Sequence, residues 1–140
     1  MYAIGNKQKE FNMTDSVHIE EDVILIRVPK FYHENISDEE LYEITRGVWK
    51  MGNRREKARF AFSIFGGEIK AVYEINSWHK AFTTEYKERT DLEMLSDEFL
   101  YDRYEFLGKI SHEMQNKYIG KSVKKYFPKG AANPFRYVNC

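Results

Sequence analysis

The sequence predicts an α+β domain: a strongly bent mixed or antiparallel sheet, or a small open β-barrel, with a helix closing one end. Three observations predict it. Strand-like segments outnumber helical ones. The clearest local pairing is a hairpin, 58–65 with 68–75, across Gly66-Gly67. One strongly capped helix lies between the first strand and that hairpin.

Residues 1–21 are polar with scattered apolar positions and are read as an arm or irregular lead-in; residues 22–140 are read as one compact domain. Val23–Val28 is short, β-branched and followed by Pro29, which suits a buried strand. Ser37 and Glu40 form a capping-box pattern, and Asp38 and Glu39 suit the positive end of a helix dipole. Leu41, Ile44, Val48 and Met51 keep helical spacing, and Gly52-Asn53 is a stop signal, so the helix is expected over 38–51.

In the hairpin, Phe60, Phe62 and Ile64 alternate with Arg59, Ala61 and Ser63. Ile69, Ala71, Tyr73 and Ile75 are expected on one side of the second strand. Residues 76–100 read as a long polar excursion ending in a turn of helix. Residues 101–110 read as a third strand, with Tyr104, Phe106 and Ile110 on one side. Val123–Phe127 reads as a short helix stopped by Pro128, and 134–138 as a last strand.

The chain of 140 residues has 22 basic and 22 acidic residues, which argues against a uniformly basic nucleic-acid binder. The charge is nonetheless segregated. Residues 46–59 hold six basic residues and one acid; residues 109–140 hold seven and one. A single cysteine, no apolar run of membrane-spanning length and no secretory h-region predict a cytoplasmic protein without a membrane partner.

Most catalytic motifs fail on inspection. Gly120-Lys121-Ser122 ends like a phosphate-binding loop, but position 115 is Gln rather than Gly. Glu68-Ile69-Lys70 matches half of a metal-nuclease pattern, but an exposed cross-strand ion pair explains it more simply. The four histidines lack zinc-ligand spacing, and no cofactor is implied.

What remains is a set of aromatics interleaved with cations. Trp49, Trp78 and Tyr104 are candidates for stacking on a base. Arg46, Arg54, Arg55, Lys121, Lys124 and Lys125 are candidates for phosphate contacts. The leading expectation is a nucleic-acid-binding module, for RNA or DNA or a nucleotide, with a flipped or modified base as one possible target. Two alternatives stay open. One is a small hydrolase acting on nucleic acid or nucleotides, with His79, Glu74 and Tyr104 as acid–base groups. The other is a protein-interaction regulator.

The runs Asp38–Glu43, Thr45–Trp49, Arg54–Ala58, Ile69–Ile75 with Trp78-His79, Arg103–Gly108, Tyr118–Val123 and Asn133–Asn139 together resemble a group of small uncharacterised bacterial and phage domains. That resemblance covers about residues 22–139 and implies one compact domain. More loosely, the helix with Gly47-Val48-Trp49 after the first strand, then a hairpin and a returning aromatic strand, is similar to the PUA-like superfamily, which includes the EVE, ASCH and YTH domains. This second resemblance implies a small bent-sheet barrel that binds RNA or a flipped, often modified, base.

Overall fold

The computed structural model of the protein describes residues 16–28 and 32–140. Its strands are β1 (Val23–Arg27), β2 (Trp49–Lys50), β3 (Phe60–Phe65), β4 (Glu68–Lys80), β5 (Arg103–Ile110) and β6 (Phe135–Val138). The helices are α1 (Asp38–Thr45), α2 (Asp97–Leu100) and α3 (His112–Tyr118), with 3₁₀ turns at Asn53–Lys57, Asp91–Met94 and Lys124–Tyr126. The strands form one curled sheet in the order β2-β5-β4-β3-β1-β6. The β1–β3 pair is parallel and every other pair antiparallel, so the sheet is mixed, and it curls into a half-barrel. None of the described helices is long and apolar enough to cross a membrane.

Strand alternation sorts the core onto two faces. Val23, Leu25, Phe60, Phe62 and Ile64 meet Met114 and Tyr118 of α3 and then Val123. Ile24, Ile26, Ala61, Ala71 and Tyr73 meet Leu41 and Ile44 of α1, then Met51 and Ala58. Both faces are therefore covered, each by a different part of the chain. Of the lead-in, Ser16–Glu21 lies against the first of these layers: Ile19 is buried, and Glu21 accepts from Lys117 Nζ at 2.8 Å and Tyr118 Oη at 2.6 Å. Residues 1–15 lie outside the described residues.

The capping box forms as the sequence indicates. Glu40 N–H donates to Ser37 Oγ at 3.1 Å, and Ser37 N–H to Glu40 Oε1 at 3.4 Å. The helix stops at Thr45, however, and not at Met51. Three tertiary bonds take over there. Thr45 Oγ1 bonds Ser63 Oγ at 2.9 Å, Phe106 N–H donates to the Arg46 carbonyl at 2.9 Å, and Trp49-Lys50 pairs with Tyr104-Arg103. Pairing with β5 outweighs local helix propensity.

Two register shifts change the expected faces of β4. The first, beside Ile64, leaves Ile69 and Val72 on the α3 face and Ala71, Tyr73 and Ile75 on the α1 face, so Ile69 does not share a side with the other three. The second lies between Ile75 and Ser77, opposite Gly108. A β-carbon at Gly108 would stand 2.3 Å from the Glu74 carbonyl oxygen, so only glycine permits this close approach. β4 also runs on to Lys80, which places Trp78 and His79 inside a strand and starts the excursion at Ala81. The expected helix at 123–127 is a 3₁₀ turn over Lys124–Tyr126, and α3 lies at His112–Tyr118, where the sequence predicts no element.

The excursion is fastened by two buried carboxylates. Glu43 of α1 accepts the backbone N–H groups of Lys87, Glu88 and Arg89 at 2.6, 2.8 and 2.7 Å. Glu105 of β5 accepts those of Phe82, Thr83 and Thr84, with the Thr84 and Tyr86 hydroxyls. Burial, the largest single influence, pushes the Glu43 pKa up. The three backbone donors outweigh it and hold the carboxyl below its ordinary 4.5. A depressed carboxylate pKa stabilises the fold above the ordinary value, and that stability is lost as pH falls below it. We therefore expect residues 87–89 to lose amide-exchange protection as pH falls below about 4.5, ahead of global unfolding, and Glu43→Gln to show that loss already at pH 7. Protection at 87–89 that follows the sheet amides down to unfolding would contradict this.

Candidate nucleic-acid interface

The three expected stacking residues come together. Trp49 and Tyr104 are directly paired across β2 and β5, and Trp78 of β4 pairs with Phe106, two residues along β5. All three pack at the edge of the α1-face core. Trp78 meets Phe106 edge to face, with ring centroids 5.3 Å apart. Trp49 Nε1 donates to the Thr45 carbonyl at 2.8 Å, which fixes its ring against the end of α1. Trp78 Nε1 has no hydrogen-bond partner in its buried position.

The Asn53–Lys57 turn closes this region. Arg55 lies 3.7 Å over the Tyr104 ring of β5, and Arg54 lies 4.8 Å over the Tyr137 ring of β6. Two consecutive arginines thus reach one end strand of the curled sheet, β6, and β5, the second strand from the other end. Arg55 Nη1 bonds the Gly52 carbonyl at 2.7 Å, and Arg54 donates twice to the Cys140 carbonyl oxygen, at 2.9 and 2.7 Å. Burial is the main reason the Tyr137 pKa is raised, and Arg54 partly offsets it. Arg54 is exposed, whereas Arg55 is buried, with its guanidinium against the Tyr104 ring.

Arg46 is not a surface cation. It is 1% exposed, and its guanidinium bonds Thr84 Oγ1 at 2.7 Å and the Glu85 carbonyl at 2.6 Å. It lies 4.0 Å from Glu105 and 3.8 Å over the Tyr86 ring. A phosphate cannot reach it. Lys121, Lys124 and Lys125 are exposed but sit elsewhere. Their segment lines the Gly66-Gly67 turn, where Val123 N–H donates to the Gly67 carbonyl, and it packs on the α3 face. Arg54 and Arg55 precede the opposite end of β3, on the α1 face. The two basic segments therefore do not form one rim; Tyr137 and Cys140, not the lysines, are what the later segment brings to Arg54.

The acid–base trio is not assembled. His79 pairs in register with Glu105 and Lys80 with Tyr104, so His79 and Tyr104 project to opposite faces. Glu74 lies five residues earlier on β4, roughly 16 Å along the strand. His79 Nε2 instead bonds Ser77 Oγ at 2.7 Å, while both Glu105 oxygens are taken by the excursion. Glu68 and Lys70 pair with each other at 3.3 Å, along one strand rather than across two.

Sequence reading missed Lys80, which stands across from Tyr104 and shares the face of Trp78. The alternation Trp78-His79-Lys80 carries that signal once the strand is extended past Ile75. Lys57 and Arg59 belong to the basic run 46–59 but are not among the phosphate candidates; both are exposed. The surface thus joins three aromatic rings to Arg55, stacked on Tyr104, and to Lys80 of β4. No protein-family model, curated protein or solved structure matches this chain.

Proposed function

We propose that the chain is a nucleic-acid-binding module that uses the Trp49–Tyr104–Trp78 face. The observation that carries this reading is Tyr104 set between Trp49 and Lys80 in the sheet, with an arginine stacked on its ring. Aromatic rings accept bases of any sequence at about 1–3 kcal/mol each. Lys80, exposed across from Tyr104, and Arg54 and Lys57, exposed in the turn that carries Arg55, would take phosphates. The unused Trp78 Nε1 donor fits a base carbonyl presented edge-on, as an extruded base would offer after a small shift of the ring. The PUA-like resemblance supports the same reading. Arg46, Lys121, Lys124 and Lys125 play no part in it.

Both tryptophans of the chain lie on this face, so intrinsic fluorescence reports directly on binding. Short single-stranded and duplex RNA and DNA are expected to quench it at 50 mM salt, with affinity falling steeply by 200 mM. Arg54→Ala with Lys80→Ala is expected to weaken binding about tenfold or more, since each removes one phosphate contact. Lys121→Ala with Lys124→Ala should leave it nearly unchanged. The reading fails if no oligonucleotide quenches at low salt, or if the second pair of variants abolishes binding while the first does not.

A further inference from the structure

A second surface, independent of that face, lies on the excursion. Among the described residues five large apolar side chains stand exposed, and four belong to this segment: Met94 is 85% exposed, Tyr101 81%, Phe99 44% and Phe82 43%. Their exposure does not come from a loose loop. Glu43 and Glu105 fasten its first half, Leu92 is buried against Val48 and Ala81, and Ser96 caps α2 by accepting the Phe99 N–H at 3.1 Å. Exposed apolar side chains on a rigid support mark an interaction site, because little ordering entropy is lost on docking.

Charge selects the occupant. Residues 91–102 contain five acids and no basic residue. Glu93, Asp97 and Glu98 are exposed, and no ion pair engages them among the described residues. The two cations that border the patch are already committed. Lys50 stands 3.5 Å from Asp102, and Arg103 lies 4.0 Å over the Phe99 ring while bonding the Val48 carbonyl. Phe99 and Tyr101 line a groove of about 550 Å³ together with Ser96, Glu98 and Asp102 and with Lys50 and Arg103 themselves, so its excess of acid comes from Glu93 and Asp97 outside it. The unpaired Glu93, Asp97 and Glu98 disfavour nucleic acid on this surface. A second copy docking by the same patch in two-fold symmetry would set acids against acids.

We propose that this surface docks a basic protein segment, with apolar side chains entering the Phe99–Tyr101 groove and lysines or arginines meeting Glu93, Asp97 and Glu98. Electrostatic complementarity of this kind sets specificity and encounter rate, while the aromatic groove supplies the anchor.

The test is an amide chemical-shift titration of the full chain with a synthetic fifteen-residue peptide of leucine and lysine. Two controls accompany it: one with serine for leucine, one with glutamate for lysine. The first peptide is expected to shift amides within 91–103 and to bind at least tenfold more tightly than either control. Tyr101→Glu and Met94→Glu change exposed side chains that hold no part of the core, and each is expected to cost about tenfold in affinity. Shifts spread evenly over the protein, equal binding of the serine control, or no effect of either variant would overturn the proposal. So would self-association of the wild-type chain through 91–102, or a short oligonucleotide shifting these amides in place of the peptide. Failure here leaves the oligonucleotide quenching experiment untouched, since Trp49, Trp78 and Tyr104 lie outside the segment.

Discussion

Glu105→Gln is expected to destabilise the protein by about 3–5 kcal/mol, the range for leaving one member of a buried ion pair uncompensated. The geometry explains why so conservative a change is costly. One Glu105 oxygen accepts from the Phe82 N–H at 2.6 Å and the Tyr86 hydroxyl at 2.8 Å; the other accepts from the Thr83 and Thr84 N–H groups and the Thr84 hydroxyl. A carboxamide turns an NH2 group toward one of these sets in either orientation, donor against donor. It also removes the charge that faces Arg46, which is itself buried. For a domain of this size the melting temperature should fall by roughly 10–20 °C. Arg46→Met should cost a comparable amount, and the double variant Arg46→Met/Glu105→Gln less than the two single changes added, by about 1 kcal/mol or more. Chemical denaturation of the three variants measures this. A Glu105→Gln cost under about 1 kcal/mol would show that the carboxylate is not the fastening point.

Phe106→Ala should cost about 3–5 kcal/mol through lost burial and the cavity it leaves. Phe106 is fully buried, and its ring lies 5.3, 6.2 and 6.3 Å from those of Trp78, Tyr42 and Tyr73. These rings come from β4 and α1, so one side chain joins the sheet to its covering helix. Phe106→Leu keeps most of the volume and should cost under about 1.5 kcal/mol. A second readout separates this from general weakening. Trp78 loses its edge-to-face neighbour, so its emission should shift to the red in folded Phe106→Ala and much less in Phe106→Leu. Unchanged Trp78 emission in the folded alanine variant would break the link between this core position and the aromatic face.

The elements legible in the sequence are those set by neighbours in the chain. The Gly66-Gly67 hairpin and the Ser37–Glu40 cap are local chemistry, and both appear as read. α3 was also within reach. Ser111 caps it by accepting the Met114 N–H, and Met114 and Tyr118 stand at i, i+4, but two apolar positions in seven residues are easily taken for a polar loop. The end of α1 and the faces of β4 were not within reach, because β5 and two bulges decide them. At the site, Trp49, Tyr104 and Trp78 were found by residue type, yet their adjacency depends on strand order. The burial of Arg46 was invisible for the same reason. A cation in a basic run looks solvated until Glu105 is placed beside it.

The position of β1 also governs how the chain must assemble. It is inserted between β3 and β6, so Val23 takes Phe60 as one neighbour and Val138 as the other. Neither pairing can be nucleated by a turn; both require distant stretches of polypeptide to meet first. Such long-range closure is entropically costly, which places the protein with slow folders, on a millisecond-to-second scale, despite its fast-forming central hairpin. Until β6 arrives, β1, apolar and buried in four of its five residues, presents an unpaired edge, and that interval is when the chain is most exposed to aggregation.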